Sequence, residues 1–252
     1  MERRYFEEYY FHERNHWWFK VRLLILNDLI RYHVFNKKPL KILNAGAATG
    51  ATSLMLKDFG YVTSLEYDKD CAVFLSSLLN DEVVNASLTD LPFSDNSIDL
   101  VCAFDVIEHI EDDHKALTEI FRTLKPDGML FLTVPAFEML WSNHDVINMH
   151  YRRYTAKALR KLVSDVGFEI KFESYFNFIL FIPVLLYRSI VKFLFFKNKY
   201  NNSGSDFEVF KSNEFSNSFF YRLFSLERFF LSRGVRFPFG VSLAIIVRKP
   251  KS

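Results

Sequence analysis

The sequence predicts an α/β fold built on a doubly wound, mostly parallel sheet, and three observations lead to this prediction. From residue 40 onward, short apolar stretches of strand length alternate with segments of helical periodicity. The first apolar stretch runs into a loop of small residues that precedes a helix, as in nucleotide-binding folds. The chain has 252 residues, half of them hydrophobic, which suits one large domain with an insertion.

The predicted elements follow one another in a regular order. Strands are expected at Leu40–Asn44, Tyr61–Glu66, Glu82–Ala86, Ile98–Phe104, Met129–Val134, Phe168–Tyr175 and Val241–Val247. Helices are expected at Thr49–Phe59, Asp70–Leu79, His114–Thr123 and Thr155–Val166, with Thr155 as an N-cap and Gly60 and Gly167 as helix ends. Before the first strand, an amphipathic helix is expected to place Trp17, Leu24 and Asp28 away from an apolar face of Trp18, Val21, Ile25 and Leu29.

Charge and cysteine content narrow the classes of partner. The net charge is +2, from 32 Lys and Arg against 30 Asp and Glu, so nothing favours a nucleic-acid partner. Cys71 and Cys102 stand alone, which argues against a disulfide framework and a structural zinc, and no metal site is predicted. Lone cysteines fit a reducing, cytoplasmic setting, and the charged start Met1–Glu8 lacks the apolar region of a secretory signal.

The loop at residues 44–50 and three acids at strand ends are the candidate ligand-binding features. Small loop residues let a backbone approach a ligand, although a tight turn without a ligand is the alternative. Glu66 can accept two ribose hydroxyls or is a solvated strand-end acid. Asp90 suits the edge of an adenine or caps the turn before Pro92. Asp105 ends the fourth strand at the edge where open α/β sheets bind ligands.

A set of ordered motifs then resembles a known family. The segments ILNAGAATG, SLEYD, TDLPFSDNSIDLV, FDVIEHIEDD and LKPDGMLFLTVP are similar to those of class I S-adenosylmethionine-dependent methyltransferases, and closest to the ubiquinone- and menaquinone-biosynthesis branch. The resemblance covers about Lys41 to Tyr175 and the final strand. It implies a Rossmann-like seven-stranded sheet whose last strand is antiparallel and inserted beside the fifth.

The resemblance also implies a cofactor, S-adenosyl-L-methionine, with S-adenosyl-L-homocysteine as product. Gly46 and Gly50 would line its methionine part, Glu66 would hold the ribose, Asp90 with Leu91 the adenine, and Asp105 with Val106 would lie beside the sulfonium. The full implied set is Asn44, Gly46, Ala47, Ala48, Gly50, Glu66, Tyr67, Asp90, Leu91, Asp105 and Val106.

The loop departs from the family at two positions. The family's loop usually starts with Asp and has a central Gly, where this chain has Asn44 and Ala48. The methyl group of Ala48 lies where the backbone should come closest and restricts positive φ. A dinucleotide-binding dehydrogenase is the main competing interpretation, but three residues separate Gly46 from Gly50 and no third glycine follows, unlike G-x-G-x-x-G.

The methyl acceptor is expected at the carboxyl edge of the sheet. Transfer requires alignment and, for some acceptors, a base, for which His109 and His144 are the candidates; His109 could instead only shape the pocket. The predicted substrate-binding residues follow the fifth strand and are Trp141, Tyr151, Arg152, Arg153 and Tyr154. The adjacent arginines could hold an anionic group, or could bridge the loop to acidic side chains or backbone carbonyls.

The chain is divided into an amino-terminal helical segment at 1–38, a methyltransferase core at 39–176 and 240–249, and an aromatic-rich helical insertion at 177–239. In the first segment, Trp17, Trp18, Phe19 and Arg22 form a lid over the cofactor or pack on the sheet. The stretch from Phe176 to Phe239 holds 16 of the 29 phenylalanines. It could roof a lipophilic acceptor pocket, lie on a membrane surface, or be buried in a homodimer or against the sheet. The apolar run Phe178–Tyr187 is too short to span a membrane.

Together these features predict methyl transfer to a small or lipid-linked acceptor, at oxygen because histidines are available. A cytoplasmic protein is expected, with membrane association as a variant of that expectation. The competing hypothesis is a degenerate fold that binds the cofactor or a partner without turnover.

Overall fold

A single seven-stranded sheet organises the protein. The computed structural model describes residues 3–34, 38–79, 83–194 and 214–251. The strands are β1 (Leu40–Ala45), β2 (Gly60–Glu66), β3 (Val83–Asn85), β4 (Ile98–Phe104), β5 (Leu124–Pro135), β6 (Glu169–Phe176) and β7 (Ser242–Arg248). Their order is β3-β2-β1-β4-β5-β7-β6, and β7 runs antiparallel to both of its neighbours. This is the predicted doubly wound sheet with an antiparallel last strand, so the fold prediction is confirmed.

Helices cover both faces of this sheet. They are α1 (Arg3–Asn15), α2 (Trp17–His33), α3 (Ala51–Leu56), α4 (Lys69–Leu78), α5 (Asp113–Thr123), α6 (Asn143–Ile147), α7 (Ala156–Val166), α8 (Phe178–Leu194) and α9 (Glu214–Leu231). Short 3₁₀ turns lie at Ile107–His109 and Glu138–Leu140. The predicted insertion at 177–239 is therefore described only at 177–194 and 214–239, and Glu82 of the predicted third strand lies outside the described residues.

Successive side chains of a strand lie on opposite faces of the sheet and contribute to two separate hydrophobic cores. In β1, Leu43 belongs to the core that contains residues of α5 and α7, whereas Ile42 belongs to the core with residues of α2, α3 and α9. Strands buried on both faces read as nearly continuous apolar runs, because neither face is left to solvent. This explains why short apolar stretches were sufficient to locate them.

The amino-terminal helix α2 packs against α9 from the aromatic segment. Trp17 is buried and stacks on Phe224, with ring centroids 4.6 Å apart. Arg228 donates two hydrogen bonds to Asp28, at 2.7 and 3.1 Å. The prediction that Trp17 points away from the apolar face of its helix is wrong, because α9 supplies a second apolar surface that the local sequence does not reveal.

Two predicted helix boundaries have different outcomes. Thr155 Oγ1 accepts the Ala158 N–H at 3.2 Å and Gly167 has φ +108°, so both predicted caps of α7 are confirmed. Gly60, by contrast, does not cap α3 but begins β2 and pairs with Leu40. A Cβ atom there would lie 2.0 Å from the Leu40 carbonyl oxygen, so the glycine permits close strand pairing.

None of the helices in the described part of the chain has the length and apolarity needed to cross a membrane.

Candidate active site

The loop between β1 and α3 has a tight, left-handed backbone. Gly46 has φ +67° and Gly50 has φ +87°, which glycine adopts without steric penalty. A Cβ atom on Gly46 would lie only 2.5 Å from Cγ2 of Val106, so the loop touches the segment that follows β4. Ala48 also has a positive φ, +45°, which an L-residue adopts at a steric cost.

Glu66, at the carboxyl end of β2, holds this loop in place. Its Oε2 accepts the Ala48 N–H and its Oε1 accepts the Asp68 N–H, both at 3.1 Å. Burial raises the pKa of Glu66, and these backbone donors partly offset the increase. Each carboxylate oxygen can accept more than one hydrogen bond, so Glu66 retains acceptor capacity for a ligand hydroxyl.

Asn44 organises the base of the loop from beneath. Its buried Nδ2 donates to Thr52 Oγ1 at 2.9 Å and to Ser53 Oγ at 2.8 Å. The amide therefore ties the end of β1 to the first turn of α3. The substitution of Asn for the family's usual Asp provides a donor that pairs with these two hydroxyls.

Glu13 of α1 also contacts the loop, although nothing in the local sequence around it predicts this contact. Its Oε2 accepts the Thr49 hydroxyl at 2.5 Å and the Ala51 N–H at 3.3 Å. The neighbouring Arg14 donates to the Thr49 carbonyl at 3.0 Å. Burial raises the pKa of Glu13. The predicted unpaired N–H groups at the start of α3 are thus partly occupied by a carboxylate, which suits the positive end of a helix.

Asp105 is fixed at the end of β4 by Arg22 of α2. Its Oδ2 accepts a hydrogen bond from Arg22 Nη2 at 2.6 Å, and its Oδ1 accepts one from Thr133 Oγ1 at 3.1 Å. Asp105 itself has φ +58°. Since Arg22 is nearly fully buried, the ion pair anchors the amino-terminal helix at the ligand-binding edge of the sheet.

The remaining predicted cofactor residues lie in different surroundings. Ala47 is buried beside Leu75, whereas Tyr67 is exposed. Asp90 is exposed, but the side chain of Leu91 belongs to the hydrophobic core and its N–H donates to Glu119 at 3.1 Å. The Leu91 carbonyl accepts from Arg122 at 3.0 Å, so its side chain and both of its backbone groups are engaged by the protein.

Three histidines meet beyond the end of β4. The rings of His109 and His150 are 4.6 Å apart, and those of His144 and His150 are 6.2 Å apart. Part of the His109 ring is exposed, yet burial of the rest and the proximity of His150 lower its pKa to about 4. The structure thus brings both predicted histidines to His150, which the sequence did not single out.

Asp145 connects His150 to Arg153. Its Oδ1 contacts His150 Nδ1 at 2.8 Å and accepts from Arg153 Nε at 2.8 Å, while its Oδ2 accepts from Arg153 Nη2 at 3.0 Å. Burial alone would raise the pKa of Asp145, but His150 and Arg153 hold it well below its usual range. This network is almost completely buried.

The two adjacent arginines do not act as a pair. Arg153 points inward to Asp145 and to the Ala136 carbonyl, at 3.2 Å. Arg152 pairs with Asp113 at 2.7 Å and donates to the Glu111 carbonyl at 2.6 Å. Both guanidinium groups are therefore engaged by the protein, as in the structural alternative, and the binding of an anionic group by these arginines stays a prediction.

Their aromatic neighbours differ in exposure. Tyr154 is buried and its hydroxyl donates to Asp113 at 2.8 Å, Trp141 is half-buried, and Tyr151 is exposed. The Tyr151 N–H donates to the Glu108 carbonyl at 2.8 Å, which attaches this segment to the turn after β4.

Glu108 is a further residue that sequence reasoning missed. Its side chain is 0% exposed, and among the described residues neither carboxylate oxygen has a hydrogen-bond partner. Burial and the nearby charge of Asp105 raise its pKa well above the usual value. An acid between Asp105 and His109 was the available signal, but its burial could not be read from the sequence.

Comparisons with known proteins agree with this architecture. Residues 43–132 match the model of a methyltransferase domain family. The chain has the class I methyltransferase fold. A complex of a Haloferax volcanii Trm112 methyltransferase activator and a putative methyltransferase contains a chain that superposes with a TM-score of 0.60 at 17% identity, over 95% of this chain and 92% of that one.

Two mycobacterial relatives resemble about half of the chain in sequence. A probable S-adenosylmethionine-dependent methyltransferase of Mycolicibacterium smegmatis is 29% identical over 134 residues, which is 52% of each chain. One from Mycobacterium tuberculosis is 32% identical over 131 residues, 50% of this chain and 48% of that relative. The chain thus spans about half the length of these curated relatives.

Proposed function

We propose that this protein transfers a methyl group from S-adenosyl-L-methionine to an acceptor. The observation that carries the proposal is that the segment matching a methyltransferase domain also contains loop 44–50, Glu66 and Asp105, at the carboxyl edge of one sheet. In open α/β sheets that edge is where ligands bind.

The residues at this edge fit the cofactor. Gly46 leaves no room for a Cβ beside Val106, so the loop packs closely against the segment that follows β4. Glu66 retains acceptor capacity for ribose hydroxyls, and Asp105 lies at the end of the neighbouring strand. When bound, S-adenosyl-L-methionine supplies a methyl group on a sulfonium, while the chain holds, aligns and desolvates both partners.

We propose oxygen as the methylated atom and a small or lipid-linked compound as the acceptor. The oxygen assignment is supported by the imidazoles of His109 and His144 beyond β4. The lipid-linked alternative is supported by α8 and α9, which expose Ile182, Leu186, Phe219 and Phe229 to about half of their full extent. Two further predictions stay untested: the division of the chain into three parts, and its membership of the ubiquinone and menaquinone branch. The binding of this apolar surface to a membrane or to a second copy of the chain also stays a prediction.

Calorimetric titration with S-adenosyl-L-methionine and S-adenosyl-L-homocysteine tests cofactor binding. One equivalent of each should bind, and Glu66→Gln should weaken binding of both, whereas the exposed control Asp165→Asn should not. If folded protein shows no heat of binding at high micromolar concentrations of either ligand, the proposal is wrong.

Methyl transfer itself can be followed with a radiolabelled methyl group and a cell extract as the acceptor source. Label in the organic phase would identify a lipid-linked acceptor, and label in the aqueous phase a small one. Cofactor binding without transfer to either phase would favour the degenerate fold.

A further inference from the structure

Beyond the predicted cofactor site, one group of side chains combines a buried acid with two imidazoles. Glu108, His109 and His150 each offer a ligand atom, and these three atoms all lie within 4.8 Å of one another. We propose that these residues bind one divalent transition-metal ion, with Zn²⁺ as the reference ion. The sequence predicted no metal site, because its ligands are separated by 40 residues and follow no zinc-binding spacing.

The geometry requires only small side-chain adjustments. Ligand atoms around a tetrahedral Zn²⁺ ion with bonds of about 2.0–2.1 Å are roughly 3.3 Å apart. The largest separation permitted by the present arrangement is 4.8 Å, so the atoms must approach by at most about 1.5 Å. Rotation about side-chain bonds can provide such a shift.

The imidazole of His150 is oriented as a metal ligand usually is. His150 uses Nδ1 to contact Asp145 at 2.8 Å, which leaves Nε2 for an ion. Asp145 is in turn held by Arg153 at 2.8 Å. A metal-binding histidine almost always donates its other ring N–H to a carboxylate or a carbonyl, because this fixes the ring and raises its basicity.

Glu108 supplies an observation independent of the histidines. Its carboxylate is 0% exposed and, within the described ranges, neither oxygen has a hydrogen-bond partner. An ionised carboxylate in such surroundings is strongly unfavourable unless a cation compensates it. The charges of Arg22 and Arg153 act on Glu108, but these side chains donate hydrogen bonds to Asp105 and Thr133 and to Asp145 and the Ala136 carbonyl, respectively. A bound ion would provide the missing compensation.

The donor set indicates the class of metal. One carboxylate and two imidazoles suit Zn²⁺, Fe²⁺, Mn²⁺ or Co²⁺, whereas Mg²⁺ and Ca²⁺ prefer oxygen ligands. Three protein ligands leave at least one coordination position open, which an acceptor oxygen could occupy. In this assignment His109 is a metal ligand and not the general base, and His144 remains the candidate base.

Metal binding can be measured without any assay of methyl transfer, so its failure and that of the proposed function are distinguishable. The full chain is first dialysed against a chelator and then titrated with Zn²⁺ in competition with a chromogenic indicator. Metal content after gel filtration is determined by mass spectrometry. The expected result is one equivalent of Zn²⁺ per chain.

Two variants and one control assign the ligands. Glu108→Gln preserves the shape of the side chain, and His150→Asn retains an N–H that can reach Asp145 while removing Nε2. Each should weaken Zn²⁺ binding about a hundredfold or more. The control His114→Asn changes an exposed histidine on α5 and should bind Zn²⁺ as the wild type does.

Thermal unfolding is a second measurement, and it distinguishes a variant that has lost metal binding from one that does not fold. Zn²⁺ should raise the melting temperature of the wild type but not that of Glu108→Gln. Without metal, Glu108→Gln should melt no lower than the wild type, because it removes a buried acid with no partner. The proposal is overturned if the folded wild type binds no stoichiometric ion, or if folded Glu108→Gln and His150→Asn bind it as tightly as the wild type.

Discussion

Glu227 of α9 gives the sharpest prediction of pH-dependent stability. Its side chain is buried, and its Oε2 accepts the Phe178 N–H at 3.0 Å, at the start of α8. Burial raises the pKa of Glu227 from 4.5 to about 7, although the backbone donors of α8 act in the opposite direction. Glu227→Gln removes the ionisable proton and keeps an oxygen that can accept the same hydrogen bond.

The magnitude follows from the difference between the two states. A difference of about 2.5 pKa units corresponds to about 3 kcal/mol. Below pH 4.5 the carboxyl is protonated in both states and has no effect. Between pH 4.5 and 7 the unfolded state loses the proton first, so the native state binds more protons and stability falls as pH rises. Above pH 7 both states are ionised and the full penalty remains.

Urea unfolding at pH 4, 5, 6, 7 and 8 measures this effect. The free energy of unfolding of Glu227→Gln minus that of the wild type should increase by about 3 kcal/mol across the series, since the subtraction removes the titration of all other groups. Glu138→Gln, at an exposed position, should show no such increase. A constant difference would mean that the start of α8 stabilises the carboxylate as much as burial destabilises it, and a difference that favours the wild type at high pH would mean that it stabilises the carboxylate more.

Three further substitutions test the loop and the packing of α2. Ala48→Gly should relieve about 1 kcal/mol of backbone strain at φ +45° and tighten S-adenosyl-L-methionine binding in calorimetry, so unchanged or weaker binding would contradict a steric role for this methyl group. Gly46→Ala should lower the free energy of unfolding by about 1–3 kcal/mol, because its Cβ would lie 2.5 Å from Val106, and a second change, Val106→Ala, should restore part of the loss. Trp17→Ala should cost about 3–5 kcal/mol in urea unfolding because it empties the buried space beside Phe224, and a loss below 1 kcal/mol would show that the helices close the gap.

The sheet was predictable because its determinants are local. Strands such as β4 and β7 are mostly apolar runs of strand length, and the loop, Glu66 and Asp105 mark the ends of strands. The segment from residue 124 to 128 was less accessible to prediction. Its Pro and Gly indicated a break, whereas the observed β5 begins at Leu124 and tolerates an irregular register against β4.

The surroundings of the candidate site were less predictable because they depend on distant contacts. Glu13 meets Thr49 across 36 residues, and a carboxylate in a mixed segment of aromatic and charged residues gives no local sign of this role. Asp145 pairs with Arg153 but not with Arg152, so the two adjacent arginines have different partners. Their adjacency in the sequence does not indicate this difference. The turn that contains Glu108 contacts a segment distant in sequence, because the Tyr151 N–H donates to the Glu108 carbonyl.

The contact between Glu13 and the loop determines which amino-terminal residues a shortened form of the chain must contain. The segment with family similarity starts at residue 43, yet the hydroxyl of Thr49 and the N–H of Ala51 depend on a carboxylate from α1. In a polypeptide truncated to that segment, these donors would be exposed to water, and the loop would lose its contacts with α1. A fragment that keeps these contacts of Glu13 with the loop therefore includes helix α1.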